Sequence, residues 1–262
     1  MPDWRPLSGP LHAERRGTGP RVVFVHGFTQ TGRSWRGVAD HFAEHGHESV
    51  VVDLPGHGDS GAVRADLRRT ADLLAATTGP AMYVGYSLGG RVCLHLALMY
   101  PHVVERLVLV GAHPGIVDDD ERAARRTADD RLAQHLLELG VDAFLDEWLA
   151  QPLFATLQVD DAARAERRRN TADGLAASLR LCGTGAQVPL WERLMELNMP
   201  VLALAGELDH KYVPIAERIA ASVPEGSFAS VHGAGHAAHL ERPMQVITRI
   251  ETWRHGPTTA RS

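Results

Sequence analysis

Five short runs in the 262-residue chain are almost unbroken in apolar character: residues 22–26 (VVFVH), 49–53 (SVVVD), 81–85 (AMYVG), 106–110 (RLVLV) and 201–205 (VLALA). A strand with one wet face alternates, whereas a continuous apolar run belongs to a strand covered on both faces. Between the first four runs, residues 31–44, 62–77 and 87–99 repeat their apolar positions at helical spacing. Alternating strands and helices predict an α/β fold, a mostly parallel sheet flanked by crossover helices.

The rhythm stops at about residue 118 and resumes near 198. The interval has no good strand and is rich in Ala, Leu, Arg, Asp and Glu. Asp118, Asp119 and Asp120 offer N-capping and an acidic first turn to a helix that continues through Glu121 and Ala124. Phe144, Leu145, Trp148 and Leu149 recur at helical spacing. The predicted organisation is a core of residues 1–117 and 198–262, with residues 118–197 as a helical cap over the sheet's C-terminal edge. The tail from His255 (HGPTTARS) is expected to fray.

Composition narrows the classes. A net charge of −5 does not suggest nucleic-acid binding. The start, MPDWRPLSGP, has neither a basic nor an apolar leader region, and no run approaches a membrane span. A cytoplasmic protein without membrane insertion is expected. Cys93 and Cys182 match no metal spacing and read as free, buried thiols. Lys211 is the sole lysine, so nearly all positive charge is arginine, which meets carboxylates with a planar fork.

The chemistry centres on Gly85-Tyr86-Ser87-Leu88-Gly89, between a predicted strand and a predicted helix. G-x-S-x-G in that setting is a nucleophile elbow, a tight turn that lifts the serine oxygen above the sheet edge. A serine hydroxyl needs a histidine to take its proton, and an acid to orient that histidine. In the order Ser, acid, His, the candidates are Asp209 in GELDHKY and His236 in VHGAGHAAH. Glu207 and His239 are rivals for the same roles. The backbone N–H groups of Phe28 and Leu88 are the natural oxyanion donors.

Arg91 lies one turn beyond Ser87, on the same helix face. Its helix is apolar on most sides, so the guanidinium needs an anion. Two partners fit: an acidic side chain in a structural ion pair, or a substrate carboxylate.

These motifs resemble the α/β-hydrolase superfamily. Within it, HGFTQTGRSW, VDLPGHGDS, VGYSLGGR, GAHPG, ADDRLA, WLAQPLFA, RRRNTADGLAASLR, GTGAQ, GELDHKY and GAGHAAHLERP resemble the 2-succinyl-6-hydroxy-2,4-cyclohexadiene-1-carboxylate synthases of menaquinone biosynthesis. These segments run through most of the chain from His26 onward. The resemblance implies a carbon–oxygen lyase, with Ser87, Asp209 and His236 acting as a base while pyruvate leaves an enolpyruvyl polycarboxylate. It implies carboxylate binding by Arg91, Arg125 and Arg169, a pocket lined by Tyr86 and Trp148, a small-molecule polycarboxylate substrate, and no metal or organic cofactor. Which of Arg167, Arg168 and Arg169 faces the pocket stays open, as does the oligomeric state. Two other functions compete: a serine esterase or thioesterase using the triad covalently, and a ligand receptor on the same fold. The arginine set favours the lyase, since a general esterase has no need of it.

Overall fold

A computed structural model describes residues 3–256. Eight strands form one sheet: β1 (Arg5–Leu7), β2 (Ala13–Arg16), β3 (Arg21–Val25), β4 (Glu48–Val52), β5 (Ala81–Tyr86), β6 (Val104–Val110), β7 (Val201–Gly206) and β8 (Gly226–Val231). Their order is β1-β2-β4-β3-β5-β6-β7-β8. All neighbours from β4 to β8 are parallel, while β1 and β2 attach antiparallel at one edge. The five apolar runs are β3 to β7, displaced by no more than two residues.

β1 and β2 went unpredicted. β2 is AERR, three charges in four residues, and is held by its register with β4 from Ala13↔Val52 to Arg16↔Ser49. Pairing outweighs propensity on such an edge.

Alternate strand residues feed two cores, one on each face of the sheet. Val23 and Val25 pack with α2 (Leu67–Thr78), α3 (Leu88–Met99) and α8 (Tyr212–Ser222). Val22 and Phe24 pack with α1 (Arg36–Glu44) and α10 (Pro243–His255). Two predicted helices start late. Residues 32–35 form a 3₁₀ turn before α1, and α2 begins only where Asp66 caps the Arg69 N–H at 2.8 Å. His255 closes α10; the tail from residue 257 lies outside the described residues.

Between β6 and β7 lie α4 (Asp119–Leu139), α5 (Val141–Leu149), α6 (Asp161–Arg167), α7 (Ala172–Cys182) and short 3₁₀ turns. Asp118 caps α4 by accepting the Glu121 N–H at 2.8 Å. α4, α5 and α7 share a small apolar core of Ala133, Leu136, Phe144, Leu175, Ala176 and Leu179, against which Phe28 of the core packs. α9 (Ala238–Glu241) follows the loop after β8. No helix among the described residues is long and apolar enough to cross a membrane.

Candidate active site

Ser87 sits between β5 and α3 with φ +51°. Left-handed backbone at a non-glycine residue is strained and persists only where its surroundings enforce it. Here the Ser87 N–H is fixed on the Val110 carbonyl at 2.9 Å. Packing is tight enough that a Cβ at Gly89 would lie 2.2 Å from the Val25 carbonyl oxygen, so the elbow needs glycine there.

His236 Nε2 lies 3.4 Å from Ser87 Oγ, and its Nδ1 lies 2.7 Å from Asp209 Oδ2. The Asp209–His236 pair is buried, so Nδ1 carries the proton and Nε2 faces the serine as base. Gly111, at the end of β6 with φ +55°, makes room: a Cβ there would meet His236 Cε1 at 2.9 Å. The rivals are engaged elsewhere. Glu207 is exposed and bonded to His232 and the Gly233 N–H. His239 is buried between the rings of Trp35 and Tyr86, each 4.3 Å away, and burial holds it neutral. Among the described residues, neither the Phe28 nor the Leu88 N–H has a protein acceptor. Both are free to receive a developing negative oxygen.

The triad opens onto a cavity of about 680 Å³ lined by Phe28, Tyr86, Arg91, Arg125 and Trp148 among others. Arg91 is 8% exposed. Its Nη1 donates to the Cys182 carbonyl at 2.6 Å and, weakly, to Gln187 Oε1 at 3.4 Å. The Cys182 carbonyl is at the negative end of α7, which compensates the cation in part. No carboxylate among the described residues pairs with it, which removes the structural ion pair as its explanation. Burial lowers its pKa, yet a guanidinium stays charged at neutral pH. Arg125 differs: Asp129 holds its Nε at 2.8 Å, and the fork beyond remains at the cavity wall, partly exposed.

Arg169 is a correction. It lies outside the cavity lining and pairs with Asp59 at 2.6 Å and Glu166 at 2.7 Å. Arg167 is the buried member of the trio, 5% exposed, with Nη1 donating to Thr29 Oγ1, and it too lies outside the cavity lining. Burial pushes its pKa down to about 10, while nearby Tyr86 opposes that fall. α6 ends at Arg167, and the chain turns before Arg169. Helical spacing cannot say which side chain points inward past that end.

Three further residues belong to the site and were missed in the sequence. His113 lines the cavity; its Nδ1 accepts the Gly115 N–H at 2.9 Å, leaving a proton on Nε2. Burial and the charges of Lys211 and Arg91 push its pKa to about 4. Lys211 also lines the cavity. Glu241 reaches back to the loop that carries the catalytic imidazole. It accepts the Gly235 N–H at 2.8 Å and the Ala237 N–H at 3.1 Å, one on each side of His236. The only sequence cue for Glu241 is a lone acid five residues after the histidine.

The only grouping of possible metal ligands among the described residues is His12, Asp53 and Asp59, none of which lines the cavity. Its oxygens are already employed: Asp53 accepts the Gly32 and Asp59 N–H groups, and Asp59 meets Arg169.

Comparison with known proteins extends this picture. Residues 20–243 match the family model of the alpha/beta hydrolase fold. A 2-succinyl-6-hydroxy-2,4-cyclohexadiene-1-carboxylate synthase of Salmonella newport (strain SL254) is 36% identical over 252 residues, 92% of this chain and 97% of the relative. The synthase of Salmonella schwarzengrund (strain CVM19633) is 36% identical over 239 residues, 88% of this chain and 92% of its own. Among solved structures, MenH from S. aureus superposes with a TM-score of 0.85 at 30% identity, covering 92% of this chain and 97% of that one. A thermophilic esterase from Thermogutta terrifontis superposes at 0.79 with 22% identity over 96% and 98%. At that identity it shows the shared fold alone.

Proposed function

Because the chain belongs to the alpha/beta hydrolase fold family, we propose that its triad works there as a base in a carbon–oxygen lyase of menaquinone biosynthesis. The reaction eliminates pyruvate from an enolpyruvyl polycarboxylate and forms the product named in its relatives, 2-succinyl-6-hydroxy-2,4-cyclohexadiene-1-carboxylate. The observation that carries this reading is Arg91, a buried cation with no carboxylate partner among the described residues, at the wall of the Ser87 cavity. An isolated buried charge costs several kcal/mol, and an anionic ligand offsets that cost. An ordinary ester has no group to do so.

The chemistry follows from the geometry. His236 withdraws the Ser87 proton, and the serine oxygen takes a proton from a substrate carbon. The electron pair left behind forms a carbon–carbon double bond as the carbon–oxygen bond to the enolpyruvyl group breaks. That group leaves as the enolate of pyruvate and is protonated to pyruvate. Negative charge builds on oxygen during this sequence, and the N–H groups of Phe28 and Leu88 receive it; one such donor is worth about 3–4 kcal/mol in related chemistry. Arg91 and Arg125 hold carboxylates, and Tyr86 and Trp148 line the pocket. Residues 118–197 serve as the cap that closes this cavity, and the setting is the cytoplasm.

The test is release of pyruvate from the enolpyruvyl substrate, measured beside cleavage of a neutral aryl ester. Turnover of the first at least about a hundredfold above the second, in kcat/KM, is expected from the charge selection argued here. Brisk ester cleavage without pyruvate release would instead establish a covalent serine hydrolase.

A further inference from the structure

The turn that carries the Phe28 N–H is held from the segment between β6 and β7. The Gln30 N–H bonds the Gly27 carbonyl at 3.2 Å, closing a β-turn whose third residue, Thr29, has φ +65°. That is the glycine position of a type II turn, and a β-branched residue does not hold it unaided. Two side chains meet Thr29: Arg167 donates to its hydroxyl, and Asn170 Nδ2 donates to its carbonyl at 2.8 Å.

Asn170 is 4% exposed, and its amide is fully used. Nδ2 also donates to the Arg167 carbonyl at 2.9 Å, and Oδ1 accepts the Gly58 N–H at 2.9 Å. One side chain thereby joins the loop after β3, the loop after β4 and the turn after α6. Beside it the backbones touch. A Cβ on Gly56 would lie 2.3 Å from the Gly174 carbonyl oxygen, and one on Gly174 would lie 2.4 Å from that of Gly56.

We propose that Asn170 is a positioning residue of the oxyanion hole: it holds the Thr29 carbonyl, the Gln30 N–H of that same peptide bonds the Gly27 carbonyl, and the Gly27–Phe28 peptide so fixed sets the direction of the Phe28 N–H, which ties the seating of the α6–α7 connection to the reactivity of Ser87. This rests on Phe28 as an oxyanion donor and is independent of which substrate is turned over.

The test uses a small alkyl fluorophosphonate and the full chain. Ser87 Oγ attacks phosphorus, the P–F bond breaks, fluoride departs, the serine proton goes to His236, and the phosphoryl oxygen occupies the hole. Asn170→Asp keeps the acceptor for Gly58 but removes the donor to Thr29. It slows labelling about tenfold or more, because small misplacements of a reacting group are expensive. Arg169→Ala breaks the neighbouring contacts to Asp59 and Glu166 without touching Thr29, and leaves the rate within about twofold. In a Thr29→Gly background the Asn170→Asp penalty shrinks, since glycine adopts that φ without help. Asn170→Ala gives the same readout should the aspartate variant not fold. Labelling of Asn170→Asp at the wild-type rate, or no slower than Arg169→Ala, overturns the proposal. A wild-type chain that labels normally but releases no pyruvate sinks the lyase and leaves this inference standing.

Discussion

On the sheet side of the cavity, Arg91 is buried with only a helix-end carbonyl and a glutamine for company. Outside the cavity lining, Arg164 pairs with Asp146, Arg168 with Asp142, and Arg169 with both Asp59 and Glu166. Arg125 stands between these extremes, tied by one nitrogen to Asp129. Arg167, although in the α6 helix, is buried and meets a hydroxyl in place of a carboxylate. Counting arginines therefore misidentifies the binding groups. The informative one is Arg91, desolvated at the cavity wall with no acid paired to it among the described residues, because a ligand carboxylate would meet the part of its electrostatic cost that the Cys182 carbonyl leaves.

The sharpest way to break this contrast is at the reacting oxygen. Ser87→Ala should reduce pyruvate release by about 10³-fold or more, as loss of a triad member does elsewhere; an active alanine variant would end the assignment of Ser87 as the base. Next is the clamp on His236. Glu241→Ala should lower kcat by about 10- to 100-fold with KM little changed, since misalignment of about 1 Å costs that much. A change confined to KM would show that Glu241 touches substrate instead. Arg125→Ala should raise KM about tenfold and spare kcat, the modest effect expected of a partly exposed charge-assisted hydrogen bond.

Acid should act on imidazoles buried in the core. Burial pushes His26 to about 4 and His57 to about 3, below the ordinary imidazole value of about 6.5. The unfolded chain then binds more protons, so this part of the stability is complete above pH 6.5 and is lost as pH falls toward 4 and 3. Between pH 7 and pH 5 each imidazole removes on the order of 2 kcal/mol. Denaturant unfolding at the two pH values checks this, and equal stability at both would show that these rings are not buried neutral.

Legibility from sequence followed the range of the interactions. β3 to β7 could be read because burial on both faces leaves an unbroken apolar run, whereas β2 is polar and forms only because β4 offers it an edge. Ser87 could be read from a local motif. Asp209 and His236 were preferred to Glu207 and His239 on chain order and the glycine turn before His236, and only distances between residues far apart in the chain show the rivals engaged elsewhere. Which of Arg167, Arg168 and Arg169 faces inward could not be read, because the turn after α6 breaks the helical phase. Asn170 and Glu241 were missed because side chains that bind backbone in loops leave no periodic trace.

Selection of an acidic substrate for a general-purpose triad falls, on the proposed function, to the buried guanidinium of Arg91. The most direct measurement is kcat/KM for pyruvate release by Arg91→Ala, taken alongside the rate at which fluorophosphonate labels Ser87 in the same variant. A loss of about 10²-fold or more is expected in the first, the scale of a lost buried charge–charge contact, with labelling within about threefold of wild type. Equal losses in both would mean that Arg91 supports the elbow itself, and would contradict its role as the carboxylate anchor.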